Sequence, residues 1–214
     1  AGRDIRAVDA MLISHNHSDH ICGAGVFQRK FGLALHVSGP TLAAANRNNA
    51  LGRLTDVNVF RSGDVLRFGE LQVETVPTPH DGVDGVAFVV SQGRQRLGIF
   101  TDLGHVFPGL VELIASLDAV FIESNYDVEM LETGGYPAFL KRRIRGSGGH
   151  LSNMETATLL TEAAGGRLRW ACLGHLSEQN NEARLALATV QAAVGQGLPL
   201  HLASRYRVSE VLEV

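Results

Sequence analysis

A chain of 214 residues, 45% of them hydrophobic, can bury the core of one domain, and we expect a single domain over residues 1–214. Its formal net charge of −3 at pH 7 excludes a protein that coats nucleic acid through overall positive charge, although a local basic patch stays compatible with it. Two cysteines far apart in the chain favour a reduced, cytoplasmic protein over a disulfide scaffold, and the sequence contains no apolar run long enough to span a membrane.

The first half of the chain alternates strands with helices and then turns to strands alone. Apolar runs predict strands at 7–14 and 33–38, with a helix at 23–32 between them and a short helix at 39–49 after them. Turn residues then separate further predicted strands, at 58–68, 71–78, 86–92 and 95–102.

The second half returns to the alternation of helices and strands. Helices are predicted at 106–117 and 136–144, on either side of a strand at 119–124. Another helix begins after Ser152, where Ser152 and Glu155 form a capping-box pattern. The remaining predicted elements are a strand at 167–173, a helix at 181–194 and strands at 198–203 and 207–214. This order predicts two sheets with helices packed outside them.

Directly after the first predicted strand, residues 13–20 read ISHNHSDH and place three histidines and an aspartate within six positions. In an extended chain His15 and His17 point to one side and Asp19 continues the alternation, while His20 begins the turn into the next helix. Imidazole nitrogens suit a borderline cation such as zinc, and Asp19 with His20 would hold a second ion nearby. Crowding titratable groups in this way has no structural benefit, so the stretch predicts a metal site.

Further histidines and an aspartate follow the ends of other apolar runs or lie in glycine-rich loops, namely His80, Asp102, His105, His150 and His175, and of these His105 is expected only beside the site. Strand ends along one edge of a sheet are where α/β proteins usually build their sites. A centre with two dications also needs an anionic group between them, and Asp102 is well suited to that position.

Several long segments together resemble the metallo-β-lactamase-fold hydrolases. The segments are HNHSDH at 15–20, PTPHDGVDGVAFVV at 77–90, LGIFTDLGH at 97–105 and CLGHLSEQNN at 172–181. The segments FIESNYDVEML, GGYPAFLKRRI and GHLSNMETA are most similar to the YycJ/WalJ branch, which is related to RNase Z and to the phosphodiesterase PhnP. The resemblance implies an α/β fold, a four-layer αβ/βα sandwich, whose N-terminal strands are shortened or missing from this sequence.

The resemblance also implies roles for the candidate residues. The first metal would be held by His15, His17 and His80, and the second by Asp19, His20 and His175, with Asp102 bridging and Asp19 also orienting the attacking water. His150 is the candidate acid for the leaving group, with an ordinary loop residue before a helix as the alternative. Glu123 would orient His150, and an ordinary polar strand end is the alternative.

A basic run at 141–145 precedes His150. As substrate-binding residues, Arg142, Arg143 and Arg145 would contact a nucleic-acid backbone, and a solvated helix face is the equal alternative. We therefore expect a dinuclear metal-dependent phosphodiesterase or nuclease acting on nucleic acid or a small phosphodiester. Zinc suits the nitrogen-rich ligands, with manganese or iron also compatible.

Two alternatives use the same residues. One is a small-molecule hydrolase of the β-lactamase, lactonase or thioesterase type, and the weaker one is an interaction protein that keeps the metals for stability. The oligomeric state, a homodimer included, stays open.

Overall fold

The computed structural model describes residues 4–47 and 49–214, and within them the strands form two sheets. The smaller sheet is parallel and has the order β1-β2-β3, with β1 at Ala10–Leu12, β2 at Ala34–Ser38 and β3 at Val57–Phe60. The larger sheet has the order β10-β9-β8-β7-β6-β5-β4. Its strands are β4 Val65–Phe68, β5 Leu71–Pro77, β6 Val86–Gln92, β7 Gln95–Phe100, β8 Ala119–Glu123, β9 Trp170–Gly174 and β10 Leu200–Leu202. Strands β4 to β7 pair antiparallel and β7 to β10 pair parallel.

The helices follow the same alternation along the chain. They are α1 Ser18–Ile21, α2 Ala24–Phe31, α3 Gly39–Arg47, α4 Leu110–Ala115, α5 Val128–Thr133, α6 Ala138–Arg145, α7 Asn153–Ala163 and α8 Ala183–Val194. The capping box predicted for α7 is present, since the Ser152 hydroxyl accepts from the Glu155 N–H and the Glu155 carboxylate accepts from the Ser152 N–H. Over the described ranges, no helix has both the length and the apolar character required to cross a membrane.

Each sheet buries one face under its own helices. Leu35 and Val37 of β2 pack with Ile21, Ala24 and Ala45 from α1, α2 and α3. The larger core joins strands β6 to β9 to α4, α7 and α8, and its fully buried members include Phe100, Ile114, Ile122, Leu160 and Val190. These layers form the predicted αβ/βα sandwich. His36 on β2 contacts the Phe68 ring on β4 at 4.9 Å between ring centroids, which brings the two sheets together.

The structure corrects two predicted strands and adds a helix that the sequence did not predict. The run at 58–68 is two strands in different sheets, because the turn after Phe60 carries the chain from β3 to β4. The segment 207–214 is irregular: it lies against the larger sheet through side-chain bonds, such as Trp170 Nε1–H to the Glu213 carbonyl at 2.8 Å, without joining a ladder. Helix α5, which Asp127 caps, was not predicted. The helix predicted at 39–49 ends at Arg47, and Asn48 lies outside the described residues.

Candidate metal centre

The candidate ligands lie at the carboxyl ends of strands. The chain leaves β1 into residues 13–20, and His80 follows β5, Asp102 follows β7, Glu123 ends β8 and His175 follows β9. Because β7, β8 and β9 are parallel, their carboxyl ends meet at one edge of the sheet. This arrangement explains how residues far apart in the sequence gather at one place.

His15, His17 and His80 form the first cluster, with one side-chain nitrogen from each within 4.8 Å of the others. His15 is 1% exposed, and its ring centroid lies 4.6 Å from that of His17 and 5.0 Å from that of His80. The Nδ1 atom of His80 bonds the Gly149 carbonyl at 2.9 Å, which leaves Nε2 to face the cluster.

The loop that carries His80 is held against His15 by backbone contacts. Asn16, between the first two histidines, accepts the Val83 N–H at 2.7 Å, and the Ser14 carbonyl accepts the Val86 N–H at 3.1 Å. A Cβ atom at Gly82 would lie 2.3 Å from the His15 ring, so only glycine permits this approach. The segments HNH at 15–17 and HDG at 80–82 therefore pack directly against each other.

Asp19, His20 and His175 form the second cluster, again with donor atoms within 4.8 Å of one another. The Asp19 Oδ2 atom lies 3.5 Å from His20 Nε2 and 3.8 Å from His175 Nε2. Asp19 and His20 both reach this position from α1, whereas the sequence predicted an extended chain at Asp19 and the turn into a helix at His20. The Ser14 hydroxyl lies 3.1 Å from Nδ1 of both His15 and His20, so it joins the two clusters.

Asp102 is the carboxylate between the clusters. Its Oδ1 atom lies 3.5 Å from His80 Nε2 and 3.7 Å from His175 Nε2, and its Oδ2 atom lies 3.2 Å from His20 Nε2. Asp102 and His175 both have left-handed backbone conformations, with φ of 59° and 53°. Such strain in residues other than glycine tends to persist where function requires the geometry.

Glu123 lies beneath this centre with 0% exposure. Its carboxylate accepts the backbone N–H groups of Asp102, Leu103 and Leu151, and its Oε2 atom lies 3.1 Å from His150 Nδ1. Burial alone would raise the pKa of Glu123, but the bonds to His150 and His175 lower it to about 2. Glu123 is thus a buried carboxylate that bonds the loops on which Asp102 and Leu151 lie, and its contact with His150 favours the orienting role over an ordinary polar strand end.

The donor chemistry fits divalent cations. The buried Nε2 atom of His15 has no hydrogen-bond partner among the residues that the structure describes, and a nitrogen of this ring lies within 4.8 Å of donor atoms on His17, His80, His20 and Asp102. Burial lowers the pKa of His15 to about 3, despite Asp102, and also lowers the pKa of His17 and His80. Neutral imidazoles present a lone pair to a metal, so these three histidines are ready ligands.

His175 differs from the other histidines. Burial would lower its pKa, but the neighbouring carboxylates of Asp19, Glu123 and Asp102 outweigh burial and raise it to about 10. The nearby His175 ring in turn holds the pKa of Asp19 well below its usual range. A metal ion bound at His175 Nε2 would have to displace the proton of the ring.

A cleft of about 1110 Å³ opens over the centre. Its floor includes His17, Asp19, Asp102, His150 and His175. This volume lies just above the usual range of small-molecule pockets, about 300–1,000 Å³. The centre is therefore accessible to a sizeable substrate.

The three arginines predicted to bind substrate have different surroundings. Arg143 lines the cleft and pairs with Asp81 through Nε at 2.6 Å and Nη2 at 2.9 Å. Arg145 pairs instead with Glu132, and neither Arg145 nor the exposed Arg142 lines the cleft. The basic run is thus divided between one cleft residue and a solvated helix face.

Several residues in or beside the cleft were missed from the sequence, among them Asp81, Asn125, Arg205 and Tyr206. Asp81 follows His80 directly. Asn125, which donates to the His175 carbonyl at 2.8 Å, comes two residues after Glu123. Their positions beside predicted site residues could have identified both. Arg205 and Tyr206 also line the cleft, but they directly precede a segment that was predicted to be a strand. His105 lies beside the site, where its Nδ1 atom is 2.7 Å from the Ser147 carbonyl.

Known proteins with related sequences or folds were compared with the chain. A family model described as "Beta-lactamase superfamily domain" matches residues 1–171. The exodeoxyribonuclease WalJ of Streptococcus pneumoniae serotype 2 is 35% identical over 198 residues, which cover 89% of this chain and 74% of that protein. The exodeoxyribonuclease YycJ of Bacillus anthracis is 33% identical over 207 residues, which cover 92% of this chain and 78% of that protein.

Among solved structures, the metallo-beta-lactamase fold protein YhfI from Bacillus subtilis matches with a TM-score of 0.72. The match covers 93% of this chain and 76% of that chain, at 17% sequence identity. At this sequence identity, the match indicates a shared fold and carries no information about the reaction.

Proposed function

This chain belongs to the beta-lactamase superfamily and, within it, to the WalJ/YycJ branch, and on that premise we propose that it is a metal-dependent exonuclease that removes nucleotides from DNA ends. The observation that carries the proposal is the position of Asp102, whose carboxylate lies within 3.7 Å of donor nitrogens in both clusters. A single anion between two sets of ligands is what a pair of divalent cations requires.

The ligand sets follow from these clusters. His15, His17 and His80 would hold one ion, and Asp19, His20 and His175 the other, with Asp102 between them. Five imidazoles and two carboxylates make a nitrogen-rich set, which favours zinc among the divalent metals. Bound there, the ions would supply a water-derived nucleophile at neutral pH and neutralise charge on the phosphate.

Side chains of the protein would orient the attacking water and protonate the leaving group. Hydrolysis forms a bond from the water oxygen to phosphorus and breaks the bond from phosphorus to the leaving oxygen, which then needs a proton. Asp19, which is on the cleft floor, is placed to orient the attacking water. Because Glu123 lies beside Nδ1 of His150, Nε2 is the nitrogen left to donate the proton from the cleft.

Parallel assays on purified protein test this function. End-labelled duplex DNA, closed circular duplex DNA, bis(p-nitrophenyl) phosphate and nitrocefin are compared before and after treatment with a chelator. We expect nucleotides to be released from the linear duplex and the circle to stay intact. Activity should disappear with the chelator and return with added zinc or manganese. A higher kcat/KM for nitrocefin or a lactone than for the phosphodiesters would support the small-molecule hydrolase instead.

The Arg143→Ala variant is expected to raise the KM for DNA about tenfold, the loss of roughly one charge-assisted hydrogen bond. Asp81 holds the guanidinium at the cleft beside His17 and His80, while the unused N–H groups stay available for a phosphate. Arg142→Ala, one residue away on the same helix but outside the cleft, is the matched control and should change the KM less than twofold. Steady-state kinetics at constant ionic strength measure both. A change of less than twofold for both substitutions would assign the basic run to a solvated face.

A further inference from the structure

The wall of the cleft beyond His175 is formed by residues that follow β9 and β10, and they include Leu176, Glu178, Arg205 and Tyr206. Arg205 donates through Nη2 to the Leu176 carbonyl at 3.2 Å, one residue after His175 of the second cluster. Arg143, by contrast, is tied to Asp81, one residue after His80 of the first cluster. One cleft arginine therefore adjoins each half of the metal centre.

Glu178 holds both Arg205 and Tyr206. Its Oε2 atom accepts from Arg205 Nη1 at 3.0 Å, and its Oε1 atom accepts from the Tyr206 hydroxyl at 2.7 Å. The Ser204 hydroxyl accepts the Tyr206 and Arg207 N–H groups at 3.1 and 3.2 Å, which fixes the turn that presents them. These contacts give both side chains a defined position in the cleft.

Stability does not account for this arrangement. The Arg205 and Glu178 side chains are 53% and 60% exposed, and exposed ion pairs contribute at most about 1 kcal/mol. Tyr206 is 76% exposed although its hydroxyl is held, so the faces of its ring are open to solvent. Ordering three exposed side chains has an entropic cost with little return in the free energy of folding.

The same arrangement suits a nucleotide. An arginine has five N–H donors, and Arg205 uses only its Nη1 and Nη2 atoms in the contacts described above, so donors remain for a phosphate. An open tyrosine ring stacks on any base, with a contribution of about 1–3 kcal/mol per base. The pairing of a guanidinium with a neighbouring aromatic face is typical of sites for single-stranded nucleic acid.

We propose that Arg205 and Tyr206, held by Glu178, form a subsite for a nucleotide next to the scissile phosphodiester, with the guanidinium on its phosphate and the phenol ring on its base. This inference rests on the proposed nuclease function and adds a preference to it. A base has to be unpaired to stack on Tyr206, so the enzyme should prefer frayed or single-stranded ends to fully paired ones.

Variants of the subsite test the proposal, with kcat/KM measured on single-stranded DNA and on bis(p-nitrophenyl) phosphate. Tyr206→Ala should lose about tenfold more on DNA than on the small diester, as expected for one lost stacking contact. Tyr206→Phe, which keeps the ring, should retain most of the DNA activity, and Arg205→Ala should raise the KM for DNA. Arg207→Ala, at the next position but outside the cleft lining, is the control.

A second comparison separates stacking from damage to the fold. A DNA substrate with one abasic nucleotide near its end should be cut more slowly by the wild-type protein, and Tyr206→Ala should no longer distinguish it from normal DNA. An equal loss on both substrates, or an undiminished abasic penalty, would overturn the subsite. If the wild-type protein cleaves neither DNA nor the small diester, the proposed function itself fails, which is a separate and recognisable result.

Discussion

Asp102→Asn is expected to lower DNA cleavage by about a thousandfold or more and to remove at least one bound metal. The substitution keeps the shape of the side chain and deletes its negative charge. A unit charge about 4 Å from a cation is worth roughly 4 kcal/mol at an effective dielectric constant near 20, which corresponds to about three orders of magnitude. Elemental analysis of the purified variant, together with end-labelled DNA assays, measures both effects.

Asp118→Asn is the matched control for Asp102. Asp118 is also buried, but it precedes β8, at the opposite end from Glu123, where it pairs with Arg167 at 2.9 Å and accepts the Arg96 N–H. The control should lose stability without losing metal. If Asp102→Asn retained two metals and normal cleavage, the assignment of Asp102 as the carboxylate between the two ions would be wrong.

His150→Ala is expected to reduce kcat on DNA by about 10²–10³, within the usual range for a lost general acid, with metal content unchanged. The leaving sugar oxygen is strongly basic and needs the proton. In bis(p-nitrophenyl) phosphate the leaving p-nitrophenolate is stable without one, so the loss on that substrate should be much smaller. A larger loss of activity on DNA than on the small diester indicates a lost general acid. General damage to the site would reduce both activities by the same factor.

The metal content of His150→Ala is decisive because its ring nitrogen also lies within 4.8 Å of donor atoms on His80 and Asp102. Loss of metal from the variant would make His150 a ligand. His105→Ala serves as the control, since His105 is exposed and its side chain has the Ser147 carbonyl as its one described hydrogen-bond partner. It should behave like the wild-type protein.

Much of the centre could be predicted because its signals are local. A histidine or aspartate after an apolar strand is visible in the sequence, and parallel strands then bring such ends together without further information. This is how His15, His80, Asp102 and His175 were found. The prediction that they bind metal stays a prediction until metal analysis tests it.

The parts that were missed depend on contacts between distant segments. The pairing of Arg143 with Asp81 and of Arg205 with Glu178 has no sequence pattern, because each joins loops that only the tertiary fold brings together. The wrong strand at 207–214 has the related cause that the apolar residues Val208, Leu212 and Val214, which are separated by even numbers of positions, suggest one buried strand face. In the structure Val208 and Val211 are exposed, and Leu212 lies against the sheet without backbone pairing.

The carboxylate of Glu123 has a consequence for how the protein should respond to its surroundings. It fixes the loops after β7 and before α7 through bonds to backbone N–H groups, which need no ion. If the proposed ligands bind cations, we expect these loops to stay in place when a chelator removes the metal, in contrast to zinc fingers, which unfold on chelation. Cations would then exchange while the polypeptide stays folded, and the bound metal would follow the supply of free metal.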